Sequence, residues 1–503
     1  MDDINENLDK NQQDKNKNPV FETVPIDQGL NDEIKIEETP EEVVNPESVN
    51  DIPQSDSSDN LPPVYQENKN QYFIFAGIGV VIFFIFIFLI SKIFNGSKSA
   101  GPVNLTYWGL WEDKQLIQPL IDLYQQKNPN VKIEYIKMSP ENYRDKLIAR
   151  SKLNQGPDIF RFHDTWVPEL KEVLAPLPQK IMTNQEFEST FYKVHQKDLK
   201  VGSYYYGIPL EIDGLVLVYN DNLFKKAGIT TAPVTWDDIS EYIPKLTVKD
   251  AQGNLITSGM AIGTTGNLEH FSDIFGLLLV QNGGNLTNLT TDEAVGALQT
   301  FRKSAEPPQD FWTPDMPNSL NAFIQEKVAM IIVPSWQILS IKAANPEINI
   351  KVTSVPTVPG SQPISLASYW VEGVSRFSKN QVEAWKFLKF LVEKENLTKL
   401  YEIASRYRLF GEPYSRVDLN SLLIQNQYIG PVIKQADYFV SLPLISRTFD
   451  NGLNDEIVKY LENAINSTIQ GVSYQEALQV ADQGIKQVLT KYNINYAQVD
   501  IHR

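Results

Sequence analysis

The chain has 503 residues, no cysteine and a formal charge of −17 at pH 7. That length exceeds one ordinary domain, and the missing thiols exclude disulfides, thiolate metal sites and a lipid anchor on cysteine. Residues 1–71 carry 18 Asp and Glu against five Lys and residues 72–100 add Lys92 and Lys98, which leaves residues 101–503 at −6, without the basic surface that nucleic-acid binding requires.

Residues 1–71 are rich in Asn, Asp, Glu, Gln and Pro and almost free of aromatic residues. Ordering them would bury too little apolar surface to offset the entropy lost, so they are expected to form a disordered acidic tail. Tyr72–Ile90 follows, 19 residues without a charge. At 1.5 Å per residue it spans about 28 Å, close to the hydrocarbon thickness of a bilayer, and is expected to be one uncleaved transmembrane helix. Residues 91–102 contain NGSKSAGP and read as a flexible linker with a reach of roughly 20 Å.

From Val103 the pattern alternates. Strands at Val103–Trp108, Val131–Lys137 and Asp158–Phe162 enclose helices at Lys114–Asn128 and Ser139–Asn154, the signature of parallel βαβ units in a three-layer α/β lobe. Tyr204–Tyr206 reads as hairpin packing, and Leu215–Tyr219 as an apolar strand. Just before that strand, Glu211 and Asp213 stand two residues apart and are expected to share one strand face. Helices are expected over Trp236–Ala251, Leu268–Gln281 and Thr291–Lys303, with Ser319–Glu326 leading into the apolar Val328–Val333. Residues 350–360 read as a returning strand, and closing helices fill Asp455–Leu489.

Three stretches carry a family likeness: YGIP with the YN, LFKKAG and TWD that follow it (Tyr206–Asp237), SYWVEGVSRFSKNQVEAWKFLKFLVEKENLTKLYE (Ser368–Glu402) and GVSYQEALQVADQGIKQVL (Gly471–Leu489). In this order they resemble the family 1 extracellular solute-binding proteins, the maltose-binding-protein-like carbohydrate receptors of ABC importers. The resemblance implies a two-lobed α/β fold of the class II periplasmic-binding type. Lobe one would comprise about 103–213 and 353–405, lobe two about 214–352 and 406–503, with three chain crossings as a hinge and a cleft between the lobes. It further implies a monomeric, non-enzymatic receptor without cofactor or metal. Such a receptor would bind a sugar or oligosaccharide and deliver it to ABC permease subunits. The receptor body would stand outside the plasma membrane and the N-terminal tail in the cytoplasm, although Lys69 against Lys92 and Lys98 slightly opposes that orientation.

A sugar site needs aromatic rings for the C–H faces of the pyranose and carboxylates for its hydroxyls, on loops at the carboxyl ends of strands. After the first strand, Trp111 and Glu112 are candidates, Glu112 standing where the family carries an acid; Trp108 reads equally as core and Asp113 as a helix cap. After the third strand, Asp164 aligns with a sugar-binding acid, its alternative being an N-cap; His163 reads as a structural histidine. On the crossover, Asp213 aligns with the family's hydroxyl-binding acid and Glu211 accompanies it, ion pairing across the hinge being the alternative. Trp336 matches a stacking tryptophan, Tyr369 and Trp370 lie where the returning strand faces the cleft, and Arg406 and Arg408 are weaker candidates. The aromatic platform that many sugar binders place before the last long helix is absent as a tryptophan, with Phe449 as its substitute. Two other functions are weighed: a tethered sensing or adhesion module, for which only the acidic tail speaks, and a glycosidase using Glu211 with Asp213 or Glu112 with Asp164.

Overall fold

The computed structural model describes residues 101–494. The acidic tail, the Tyr72–Ile90 span and all but the last two residues of the linker lie outside the described residues. Among those described, no helix is long and apolar enough to cross a membrane.

The chain enters through β1 (Val103–Gly109), α1 (Lys114–Lys127), β2 (Val131–Lys137), α2 (Tyr143–Lys152) and β3 (Ile159–His163), and reaches β4 (Ile208–Pro209). It then crosses to β5 (Leu215–Asn220), α3 (Trp236–Leu246), β6 (Val248–Lys249), β7 (Leu255–Met260), α4 (Phe271–Gln281), β8 (Val328–Pro334) and β9 (Ile350–Thr353). It returns for β10 (Trp370–Val374), α5 (Gln381–Leu391) and α6 (Lys394–Ala404), and ends in α7 (Leu453–Ile469) and α8 (Tyr474–Lys491). Two five-stranded sheets result, in the orders β2-β1-β3-β10-β4 and β9-β5-β8-β7-β6. Each sheet is the floor of one lobe. The last helices complete the second: α7 packs on α8 and α4, and α8 on the helix Asp292–Lys303.

Local sequence explains the placement of strands. β2 buries Val131, Ile133 and Tyr135 and exposes Lys132 and Glu134, the period-2 alternation of an edge strand with one wet face. All seven residues of β8 are buried, as its apolar run requires in the middle of a sheet covered on both sides. α1 turns Leu116, Ile117, Leu120, Ile121 and Tyr124 inward at helical spacing.

Parallel pairing holds for β1 with β2 and β3. The strand that arrives from the other lobe breaks it in each sheet: β10 runs antiparallel to β3 and β5 antiparallel to β8 and β9. The sheets are therefore mixed where purely parallel units were expected. The helix expected over Trp236–Ala251 stops at Leu246 and continues as the short edge strand β6. There the β-branched Thr247 and Val248 favour extended backbone, and Asp250 folds the chain into a turn by accepting the amides of Gln252 and Asn254.

Residues 210–214 form the first crossing, and they are not a regular strand. Glu211 bridges Tyr414 and Gly214 bridges Ala367, so the first, second and third passages between the sheets lie side by side. Gly214 is required there, because a Cβ would collide with the Leu366 carbonyl and the Phe439 ring.

Candidate functional site

The carboxyl ends of β1, β3 and β8 carry the three loops that hold Trp111, Glu112, Asp164 and Trp336. In open α/β sheets these ends are where ligands meet backbone amides and side chains that no strand pairing consumes.

In the first lobe the rings form a cluster around Trp370. The Trp111 ring lies 5.4 Å from it at 69°, His163 5.2 Å away at 80°, and Trp166 5.4 Å away at 81°. Edge-to-face packing of this kind sets each ring's orientation. Trp166 is buried, Trp370 is half-buried, and Trp111 keeps 38% of its surface exposed. Phe449, from the loop before α7, completes the cluster at 6.2 Å from Trp111. In the second lobe Trp336 is half-buried, with the His270 ring 6.1 Å away.

The acids behave differently. Glu211 and Asp213 are each only 4% exposed, and on this irregular crossing they have separate partners. Glu211 Oε1 accepts the amide of Trp370 at 3.0 Å. Asp213 Oδ1 accepts the amides of Gly214 at 2.7 Å and Ser335 at 3.2 Å, and its Oδ2 accepts that of Trp336 at 3.3 Å. Asp213 thus fixes the Trp336 loop of the second lobe onto the crossing. Asp164 is also buried: its Oδ1 accepts the Tyr369 amide at 3.2 Å. Tyr369 is wholly buried, with its hydroxyl donating to Asp198 Oδ2 at 2.7 Å. Asp164, Glu211, Asp213 and Tyr369 are thus all buried in this conformation, and each has a hydrogen-bond partner within the protein. Asp113 does stand at the N-cap of α1, yet its carboxylate pairs with Lys137 at 2.7 Å and makes no cap bond.

Glu112 belongs to an ion-pair network that the sequence did not reveal. It is bound to Arg161 of β3, whose Nε also meets Glu372 Oε1 of β10 at 2.6 Å. Arg408 pairs with Glu412 at 2.5 Å, and a cavity of about 30 Å³ under α6 is lined by Glu112, Arg161, Glu211, Arg408 and Glu412. Burial pushes the Glu112 carboxyl up, but the charges of Arg161 and Arg408 and the hydrogen bonds it accepts together outweigh burial and hold the group below the usual range. Glu211 goes the other way, raised by burial and then by the charge of Glu412. Glu112, Glu211 and Glu412 each bring one oxygen within 4.8 Å of the others, the spacing of a cation site. The two guanidiniums already supply positive charge there, so the residues fit a compensated ion-pair network better than a metal.

Burial raises the Asp213 carboxyl to about 7, against the hydrogen bonds it accepts. Its unfolded value is about 3.9, so across the interval between them the folded state holds a proton that the unfolded state has lost. Stability from this group is therefore greater at low pH and falls as pH rises through about 7. Wild type is expected to gain about 1 kcal/mol from Asp213 on going from pH 8 to pH 6. Urea unfolding at both values checks this: the gain should shrink by that amount in Asp213→Asn, and an identical pH response in both proteins would refute it.

The residues that sequence reasoning missed are Arg161, Glu372 and Glu412. A charged residue inside the apolar run IFRFH of β3 was the available signal, since a buried arginine needs a carboxylate partner.

A family model described as bacterial extracellular solute-binding protein matches residues 108–397. The maltodextrin-binding protein MdxE of Bacillus subtilis (strain 168) is 24% identical over 302 residues, 57% of this chain and 68% of that protein. Among solved structures, a cyclo/maltodextrin-binding protein complexed with maltotetraose is similar with a TM-score of 0.63 at 20% identity, over 78% of this chain and 99% of that one. The sugar-binding protein MalE of Xanthomonas citri is similar with a TM-score of 0.64 at 16% identity, over 78% and 98% of the two chains.

Proposed function

Because the chain belongs to the bacterial extracellular solute-binding proteins, we propose that it is a receptor that captures a sugar or oligosaccharide between its lobes and hands it to an ABC importer. The observation that supports this most is the set of accessible rings: Trp111 after β1 with Trp370 at the start of β10 and Phe449 beside them, and Trp336 after β8 in the second lobe. Such rings cover the C–H faces of a pyranose at low entropic cost. Relatives named for maltodextrin and galactooligosaccharide binding favour the same solute class.

In this reading Trp111, Trp336, Trp370 and Phe449 touch the solute, while Asp213 and Glu211 hold the loops that present them. Glu112 retains partial exposure beside Arg161 and offers one carboxylate oxygen to a hydroxyl. The lobes, about 103–213 with 353–405 and about 214–352 with 406–503, close about the three crossings, and the importer reads the closed form. Tyr72–Ile90 tethers the monomeric receptor to the outer face of the plasma membrane, and the permease subunits are separate chains. No catalytic step is assigned: Glu211 and Asp213 are turned to different backbone amides, so they do not form an acid–base pair.

A thermal-shift screen of residues 101–503 against mono- and oligosaccharides, polyols, sugar phosphates and polyamines tests the reading. A ligand at 100 times its Kd adds about 2.7 kcal/mol, so a sugar is expected to raise the melting temperature by a few degrees. A folded protein with no sugar response, or one that responds only to polyamines, would refute it.

A further inference from the structure

The loop that precedes α7 is strained and touches both lobes. Arg447, Phe449 and Asn451 have φ of 63°, 57° and 48°, a left-handed backbone that costs an arginine or phenylalanine free energy and persists only where surroundings impose it. On the side of the second lobe, Arg447 pairs with Glu269, and the Ser446 amide donates to Asp273 Oδ2 at 3.1 Å. On the side of the first lobe, Asn454 Nδ2 donates to Thr165 Oγ1 at 2.8 Å. Gly452 is pressed so close to Arg144 and Glu169 that a Cβ would collide with Glu169 Oε2 and stand 2.9 Å from Arg144 Nη1.

The chemistry at this contact is unusual. The Glu169 side chain is fully buried; one oxygen pairs with Arg144, and Oε1 has no donor among the described residues. Asp450, on the strained loop, stands beside Glu169: its Oδ1 accepts, at 3.1 Å, the amide of Gly452, the residue pressed against Glu169 Oε2, and the Leu453 amide also neighbours Glu169. Asp450 Oδ2 accepts the amide of Asn454 at 2.8 Å. A carboxyl and a carboxylate can share an O–H···O bond only if one of them keeps a proton.

We propose that Glu169 and Asp450 form a proton-dependent latch between the lobes, so that closing the cleft takes up one proton. The proposal rests on the hinge-closing part of the functional reading and not on which solute is bound. Several charged groups face the pair. Arg144 and its partner Asp145 stand on α2, Asp455 at the start of α7, Tyr492 at the end of α8, and His163 on β3. Burial, then the Asp450 charge, raises Glu169 to about 9 although Arg144 opposes. Backbone amides hold Asp450 low in spite of its burial, so the proton sits on Glu169. His163 is pushed down to about 3 by burial and stays neutral. Asp455, raised by burial to about 6, is ionised above that pH and adds to the repulsion.

In an open form Glu169 would be solvated, with an ordinary value of about 4.3. The closed form then binds more protons between that value and about 9, so it is favoured at low pH and lost as pH rises. One proton corresponds to a change of up to about tenfold in the closed-to-open ratio per pH unit.

The chain has no cysteine, so Leu153→Cys in the first lobe and Ile256→Cys in the second, both at exposed positions, place two spin labels cleanly on the full-length protein. Interlobe distances by pulsed EPR, with no solute added, are measured from pH 6 to pH 9. Wild type is expected to move from the short to the long distance as pH rises. Glu169→Gln, whose amide donates to Asp450 without a proton, should stay short throughout, and Gly452→Ala should be long at every pH. The same pH response in Glu169→Gln as in wild type, or a wild-type distance that ignores pH, overturns the latch. Should Glu169→Gln fail to fold, by circular dichroism, a Gly452→Ala protein with wild-type distances overturns it equally. Because no solute enters this measurement, its outcome is independent of the sugar screen.

Discussion

Arg161→Leu is expected to destabilise the folded body by about 3–5 kcal/mol. Arg161 is 4% exposed and stands between Glu112 and Glu372, the latter wholly buried. Removing the guanidinium leaves Glu372 in a low-dielectric interior with no compensating charge and Glu112 with only the more distant Arg408, and Glu372 already has one oxygen, Oε2, without a partner among the described residues. The loss comes from stranding those acids, not from any large net gain in the intact network, since taking two charges out of water costs nearly what their attraction returns. The triple variant Arg161→Met, Glu112→Gln, Glu372→Gln should therefore recover most of the stability. Urea unfolding of the three proteins decides it. If the single variant loses less than about 1 kcal/mol, the usual worth of an exposed pair, the network is solvated and the account fails.

Trp336→Ala and Trp111→Ala are each expected to weaken sugar binding by about 2–3 kcal/mol, roughly a 30- to 150-fold rise in Kd. Trp111 stands between Trp370 and Phe449 with a free face, and Trp336 begins the loop that Asp213 secures through two amides. Rings held this firmly lose little entropy on binding, which is why truncating them is costly. Calorimetry with the sugar found by the screen measures the effect. If Asp213 acts only by holding the loop, whose amides it accepts, Asp213→Asn should raise Kd less than Trp336→Ala does; the reverse order would make the carboxylate a direct contact.

The sequence alone determined the class of this protein. Strand and helix periodicity from Val103 onward, together with the stretches Tyr206–Asp237 and Ser368–Glu402, were enough for an α/β solute-binding protein. Those signals are local: alternating burial in β2 and the inward stripe of α1 follow from neighbours a few residues apart. The rings at the ends of β1 and β8 were legible for the same reason.

What the tertiary structure decided is which acids remain available. Glu211 and Asp213 looked paired because an ideal strand alternates, but three crossings meet at residues 210–214, and there the two carboxylates accept amides from different loops. Asp164 and Tyr369 lie 205 residues apart in sequence yet bond to each other under the ring cluster. Glu372 finds Arg161 across 211 residues, and Phe449 reaches Trp111 only because α7 and α8 fold back onto the second lobe. Whether a carboxylate meets solute, arginine or a second carboxylate depends on the packing that surrounds it, and packing between residues hundreds of positions apart leaves no periodic trace in the chain.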